Sequence, residues 1–151
     1  MPTIRSATTD DAEPISSLLI QASVEFIVAN FDAAGRAHFL GQLSATEMMV
    51  RLSGGYCFYV AERDGVLVGV SAVRLPHHLY YLFVAKPYHG TGIARMLWLH
   101  VLADPQFRGQ SLFTVNASNY AVAAYERLGF RRCGPQQNEQ GVQFNPMEWR
   151  A

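Results

Sequence analysis

The stretch that decides the fold is Leu79–Leu97, LYYLFVAKPYHGTGIARML. It begins as an apolar and aromatic run typical of a buried strand, and Pro87, Gly90 and Gly92 then indicate a turn. From Ile93 onward, apolar residues recur at helical spacing. The sequence therefore predicts a strand, a glycine turn and a helix in immediate succession.

This succession predicts an anion-binding site. The first backbone N–H groups of a helix have no internal partners, and the helix dipole adds partial positive charge there. Gly90 and Gly92 carry no Cβ, so a bulky anion can approach the backbone closely. Lys86, the only lysine of the sequence, precedes the turn, and Arg95 lies just inside the helix. We infer that a phosphate-bearing cofactor binds here.

Two common phosphate motifs do not fit the stretch. A P-loop reads Gly-x-x-x-x-Gly-Lys-Ser/Thr, and no lysine follows these glycines. A dinucleotide fingerprint needs a small residue where Arg95 stands and an acidic residue about 20 positions later. Neither condition is met, which argues against a nucleotide-binding fold.

Two motifs instead resemble those of the GNAT superfamily of N-acetyltransferases. His89-Gly90-Thr91-Gly92-Ile93-Ala94 matches the family's phosphate-binding pattern Arg/Gln-x-x-Gly-x-Gly/Ala, except that His89 replaces the first residue. Val115–Phe130, VNASNYAVAAYERLGF, is similar to the family's later motif and follows at the expected distance. The resemblance covers roughly residues 56–149, and it implies acetyl-CoA as the cosubstrate.

Composition and the remaining pattern predict one α/β domain over residues 1–151. Half of the residues are hydrophobic and the formal net charge is zero, so neither nucleic acid nor a membrane is an expected partner. Cys57 and Cys133 are isolated and are interpreted as buried reduced thiols, with no metal site. Without a recognisable signal segment, a cytoplasmic location is expected, and homodimer formation stays open.

Strand and helix signals alternate along the chain. An amphipathic helix is expected from Asp10 or Asp11 through Phe26, whereas the glycines leave Phe31–Gln42 undecided. Further helices are expected after Ser44 and Asn119, a hairpin at Asp64-Gly65, a polar loop over 134–141 and a last strand over 142–149. The resemblance implies the same architecture: a mixed, predominantly antiparallel sheet with splayed central parallel strands and helices on both faces.

The resemblance also implies roles for individual residues. The cofactor's pantetheine arm would lie between strands 79–84 and 112–115, held by the backbones of Phe83 and Val84. Tyr125 would protonate the leaving thiolate, since a phenol stays protonated at neutral pH. The positions expected to contact the cofactor are Phe83, Val84, His89, Gly90, Thr91, Gly92, Ile93, Ala94, Arg95, Asn116, Asn119 and Tyr125.

The general base is less determined. In several branches of the family it lies on the central strand, at positions that correspond to His78 and Tyr80. These two residues share one strand face by the period of two, and histidine has a suitable pKa. An exposed loop histidine is an equal interpretation of His78, and Glu25 and Glu62 stay open as alternatives.

Two functions follow from these residues. The first is an N-acetyltransferase that moves the acetyl group of acetyl-CoA to a primary amine of a small molecule or a peptide, by direct attack on the thioester. The second is a catalytically silent acyl-CoA-binding module. An acetyl-transfer assay across a panel of amines distinguishes them.

Overall fold

The computed structural model describes the backbone of all 151 residues and every side chain except those of Phe26 and Asn30. The predicted apolar contribution of Phe26 to the first helix therefore lies outside the described residues. The strands are β1 (Thr3–Ser6), β2 (Tyr56–Arg63), β3 (Val66–Arg74), β4 (His78–Val84), β5 (Leu112–Ala117), β6 (Arg131–Arg132), β7 (Gln137–Glu139) and β8 (Val142–Arg150). The helices are α1 (Ala12–Phe26), α2 (Ala33–Gly41), α3 (Ala45–Leu52), α4 (Ile93–Ala103) and α5 (Val122–Arg127).

The strands form a sheet in the order β1-β2-β3-β4-β5-β8-β6, and β7 pairs with β8. Neighbouring strands are antiparallel except for β4 and β5, which are parallel. The predicted mixed and mostly antiparallel α/β architecture is confirmed. The parallel pair lies at the centre of the sheet, where the strand order places a crossover through α4.

Two apolar layers cover the two faces of the sheet. On one face, α1 and α3 pack on Val60, Val70 and Ala72. On the other face, α4 buries Trp98 against the rings of Phe113 and Trp149 at centroid distances of 5.1 and 5.6 Å. Helices on both faces of the sheet, as predicted, hold the edges of β4 and β5 in fixed positions.

Several local predictions are confirmed with small changes of boundary. The hairpin turn consists of Asp64 and Gly65, at φ 52° and 78°. Ser44 caps α3 by accepting a hydrogen bond from the backbone N–H of Glu47 at 3.2 Å. Gly129 follows the last turn of α5 at φ 101°, as a left-handed residue after a helix should.

Three local predictions are wrong. Asn119 does not cap α5, which begins at Val122, because its Oδ1 accepts a hydrogen bond from Asn145 Nδ2 at 2.8 Å. The polar segment 134–141 is not all loop, since β7 forms within it. Cys133 is exposed rather than buried, whereas Cys57 is partly buried.

The segment left undecided is helical. Asp32 accepts a hydrogen bond from the backbone N–H of Gly35 at 2.7 Å and so caps α2. This cap and the packing of α2 against β8 outweigh the low helix propensity of its two glycines. No helix in the described part of the chain is both long and apolar enough to cross a bilayer.

Candidate active site

The site begins where β4 and β5 separate. Register pairs join His78 to Thr114 and Leu79 to Val115, and the pairing ends there although both strands continue. The backbone groups of the later residues of β4 therefore lack a neighbouring strand on that side. A wedge-shaped gap with unpaired main-chain groups is well suited to an extended ligand that contains amides.

The N-terminus of α4 lies at the wide end of this gap. Gly92 is the N-cap residue at φ 86°, a left-handed conformation that side chains disfavour. A Cβ on Gly92 would meet no protein atom within 4 Å, so the space above the turn is open. The unpaired N–H groups of the first helical turn therefore face room for an anion, which fits the phosphates of CoA.

A single cavity of about 1290 Å³ joins this turn to the gap and extends toward the N-terminal helices. Predicted site residues that line it are His78, Tyr80, Phe83, Val84, His89, Gly90, Gly92, Ile93, Ala94, Arg95, Asn116 and Tyr125. The structure thus brings both proposed catalytic groups of β4, the glycine turn and Tyr125 to one cavity. Thr91 and Asn119 are not among its described lining residues.

Tyr125 lies on α5 with 7 % of its surface exposed. Its ring packs edge-on against Phe130 at a centroid distance of 5.4 Å. Burial raises the pKa of the phenol above its ordinary value of about 10. Tyr125 therefore holds its proton throughout the neutral pH range and can donate it inside the cavity.

His78 begins β4 and is partly buried, so it is not an exposed loop histidine. Its Nδ1 lies 2.8 Å from Thr114 Oγ1, which links the two parallel strands at the first of their two paired positions. Burial, with smaller contributions from the charges of Arg74 and His77, lowers the pKa of His78 to about 4. The imidazole is therefore neutral at physiological pH and only weakly basic.

Tyr80 lies next to His78, with ring centroids 6.2 Å apart. It has no register partner on β3, so it occupies an irregularity in the strand pairing. The guanidinium carbons of Arg51 and Arg74 lie 5.6 and 5.5 Å from its ring centroid. Burial nevertheless raises the pKa of Tyr80, so the phenol is neutral.

Two residues of the glycine motif hold the turn itself. His89 Nε2 lies 2.7 Å from the carbonyl oxygen of Val84, so the imidazole returns to the end of β4. Thr91 Oγ1 donates a hydrogen bond to the carbonyl oxygen of Tyr88. Both contacts order the turn that precedes α4.

The alternative bases lie elsewhere. Glu25 pairs with Lys86 at 2.7 Å, and Glu62 pairs with Arg5 at 2.8 Å. Neither glutamate is among the described residues that line the cavity. Among the described side chains, no group of three or more His, Cys, Asp and Glu residues is arranged to hold a metal ion.

One wall of the cavity was not predicted from the sequence. This wall is the turn between β7 and β8, which contributes Glu139, Gln140, Val142, Gln143 and Phe144. Gln140 and Gly141 form a two-residue turn in which both have positive φ, 55° and 79°. Gly141 after a run of polar residues was a sequence signal for a turn. The residues that flank it are only weakly apolar, so they did not indicate the two strands of a hairpin.

Known proteins resemble this chain in sequence and in structure. Residues 25–151 match the family model described as an acetyltransferase (GNAT) domain. N-acetylaspartate synthetase of Rattus norvegicus is 35 % identical over 88 residues, 53 % of this chain and 29 % of that protein. The chain thus matches less than a third of that relative's length. The 5-NmdU N-acetyltransferase of Pseudomonas phage PaMx11 is 32 % identical over 89 residues, 56 % of this chain and 64 % of that protein.

Solved structures are similar over the whole chain. A GCN5-related N-acetyltransferase from Rhodopseudomonas palustris has a TM-score of 0.84 at 22 % identity, covering 100 % of this chain and 96 % of its own. The PaiA N-acetyltransferase from Thermoplasma acidophilum, solved in complex with coenzyme A, has a TM-score of 0.82 at 15 % identity, covering 100 % and 99 %. At these identities the likeness concerns the fold.

Proposed function

Because the chain belongs to the GNAT family of acetyltransferases, we propose that it transfers the acetyl group of acetyl-CoA to a primary amine. One observation carries the proposal: the glycine turn, the open edges of β4 and β5 and the buried Tyr125 share a cavity. A phosphate cradle, a slot for an extended arm and a proton donor are three parts by which a protein can assist thioester aminolysis.

Acetyl-CoA would be held mainly by the backbone. The amides of Gly90–Arg95 would bind its phosphates, and the main-chain groups of Phe83 and Val84 would bind its arm. Asn116, at the diverging end of β5, would add a polar contact. Asn119 would act through Asn145, whose Nδ2 also donates to the carbonyl oxygen of Ala117.

The reaction needs one proton donor at sulfur. Acetyl-CoA supplies a thioester whose C–S bond breaks as the amine nitrogen bonds to the carbonyl carbon. Tyr125 would donate its Oη proton to the departing sulfur and later recover a proton from solvent. The burial that raises the pKa of Tyr125 would also disfavour a thiolate anion in the same cavity, which favours protonation of the departing sulfur.

The low pKa of His78 limits the role that this residue can have toward the amine acceptor. An ammonium ion has a pKa near 10.4, and a neutral imidazole with a pKa of about 4 cannot hold its proton. We therefore propose that the amine binds in its neutral form and that His78 and Tyr80 orient it. His78 would accept a hydrogen bond from the neutral amine, and the proton that the nitrogen loses as it is acylated would pass to water.

The partners and setting follow the same proposal. Residues 1–151 would act as one domain, because one sheet connects β1 near the start of the chain to β8 near its end. Acetyl-CoA and an amine would be its partners, without nucleic acid or a membrane, in the cytoplasm. The zero formal net charge supports the proposal that neither nucleic acid nor an anionic membrane is a partner.

The test is acetyl transfer measured on purified protein. CoA binding is measured by isothermal titration calorimetry, and thiol release from acetyl-CoA is followed across a panel of primary amines, with products identified by mass spectrometry. We expect amine-dependent thiol release and an acetylated product. Tight CoA binding without transfer to any amine would instead identify a silent acyl-CoA-binding module.

A further inference from the structure

Two backbone segments touch on the acceptor side of the cavity. Gly35, buried in the first turn of α2, lies against Gly141 of the β7–β8 turn. A Cβ at Gly35 would lie 2.8 Å from the Cα of Gly141, and it would overlap the carbonyl of that residue. A Cβ at Gly141 would lie 2.7 Å from Oδ2 of Asp32. The contact, which we call the glycine bridge, is therefore closed to any side chain at either position.

Both halves of the glycine bridge are fixed locally. On one side, Asp32 caps α2 through the N–H of Gly35, so the carboxylate that faces Gly141 is held in place. On the other side, the tight turn at Gln140 and Gly141 is supported by the Gly141 N–H, which donates to Asn138 Oδ1 at 3.1 Å. Neither half needs a ligand in order to adopt this shape.

The glycine bridge joins two segments that both line the cavity, although Gly35 and Gly141 are not themselves among the described lining residues. The α2 side contributes Phe31, His38, Phe39 and Gln42, and the hairpin side contributes Glu139, Gln140, Val142, Gln143 and Phe144. His78 and Tyr80 line the same cavity. The two walls are thus fixed against each other at the glycine bridge, and an acceptor that reaches His78 shares the cavity with both of them.

The side chains that line the acceptor side of the cavity are mainly aromatic and carry little charge. Phe31 and Phe39 stack edge-on at 5.5 Å, and Tyr80 faces the same space. Glu139 is the one carboxylate among the described lining residues. A polycationic chain would find little charge compensation there, whereas an aromatic or apolar body would bury its surface.

We propose that the acceptor is a small aromatic or apolar primary amine bound between the two walls that the glycine bridge joins, and that Gly35 and Gly141 determine specificity by holding these walls too close together for a polypeptide. This inference rests on the proposed acetyl transfer and deepens it. A peptide would have to pass between the joined walls, whereas a small amine occupies only the space between them. The glycines matter because only their lack of a Cβ lets the two walls meet.

The test compares two acceptors in four proteins. The acceptors are 2-phenylethylamine and a hexapeptide with a free N-terminus and one lysine, and the proteins are the native one, Gly35→Ala, Gly141→Ala and Gly41→Ala. Gly41→Ala is the matched control, because Gly41 ends the same helix and a Cβ there meets no atom within 4 Å. Acetyl-CoA binding and circular dichroism verify that each variant is folded.

We expect the native protein and Gly41→Ala to prefer the small amine in kcat/KM by roughly 100-fold or more. Both bridge variants should lower that preference at least roughly tenfold, chiefly through a higher KM for the small amine, with the acetyl-CoA KM unchanged. If the bridge variants do not fold, Asp32→Ser keeps a helix cap and removes the carboxylate beside Gly141, and it should lower the preference in the same direction.

Equal use of peptide and small amine by the native protein would overturn the inference and leave the proposed function intact. An unchanged preference in folded bridge variants would do the same. Tight CoA binding with no transfer to either acceptor would overturn the proposed function, and this inference with it.

Discussion

Replacement of Tyr125 by phenylalanine removes one hydroxyl group and leaves the ring in place. The ring is 7 % exposed and packs against Phe130 at 5.4 Å, and both features are retained by phenylalanine. The variant should therefore fold and bind acetyl-CoA as the native protein does. Only the proton donor at the cavity wall is lost.

The expected loss in kcat follows from the protonation state of the Tyr125 phenol. With an ordinary pKa of about 10, about 1 % of tyrosine is ionised at pH 8, and burial makes the fraction at Tyr125 smaller. The donor is thus fully available to the native protein and fully absent from the variant. General-acid catalysis contributes about 10²–10⁴-fold, so kcat should fall by that factor, about 2.7–5.4 kcal/mol in the barrier.

The assay is steady-state thiol release at saturating acetyl-CoA and amine. The assay is repeated with the acetyl thioester of an aromatic thiol. Because this thiol leaves as a more stable anion, its departure depends less on protonation by Tyr125. The loss in kcat should shrink for that donor. Tyr59→Phe is the matched control, because Tyr59 is also buried but is not among the described residues that line the cavity. Its hydroxyl instead donates a hydrogen bond to Asp104 on the α4 side of the sheet.

Two results would refute this reasoning. Undiminished kcat together with weaker acetyl-CoA binding would make Tyr125 a packing residue. An equal loss in the Tyr59→Phe control would show that any buried tyrosine hydroxyl matters through stability rather than through proton donation.

Four further predictions test other parts of the site. Gly92→Val should weaken CoA binding in calorimetry, because it strains a left-handed N-cap and fills the phosphate cradle, whereas Gly54→Val, at an open position with ordinary φ, should not. His89→Ala should cost little CoA affinity and His89→Arg should preserve or tighten it, since backbone amides do most of the binding; a large loss in the alanine variant at pH 8 would contradict this. Below pH 6.5 the unfolded chain protonates His78 before the native one does, so stability should fall as the pH drops toward about 4, and urea midpoints at pH 7.5 and 5 should differ less in His78→Gln. Trp98→Ala should lower the free energy of unfolding by about 3–5 kcal/mol in urea titrations, because Trp98 is 2 % exposed within an aromatic cluster; a loss below 1 kcal/mol would contradict its place in the core.

Segments of the site whose structure is determined by neighbouring residues in the chain could be predicted from the sequence. The strand, glycine turn and helix of 79–97 follow one another along the chain, and each is specified by its own residues. The divergence of β4 and β5 is different, because it depends on pairing between distant strands. Only the resemblance to a family implied it, and the register between His78 and Thr114 now locates it.

The parts that depend on long-range contacts were not predictable. Asn119 is a good helix cap by local criteria, but Asn145, 26 positions away, engages its side chain. Helix α2 contains two glycines that weaken it, and its contact with the β7–β8 turn is invisible in either segment alone. The acceptor side of the cavity is built from such contacts, which is why sequence reasoning identified the cofactor side first.

We propose above all that CoA binds across the N-terminus of α4 and the gap between β4 and β5. A titration of ¹⁵N-labelled protein with CoA, followed by amide NMR shifts, tests it most directly. We expect the largest shifts on the amides of Gly90–Arg95, followed by Phe83, Val84 and Asn116, while β1 and the hairpin turn at Asp64-Gly65 stay unchanged. Shifts concentrated outside the glycine turn and the gap, with Gly90–Arg95 unaffected at saturation, would contradict it.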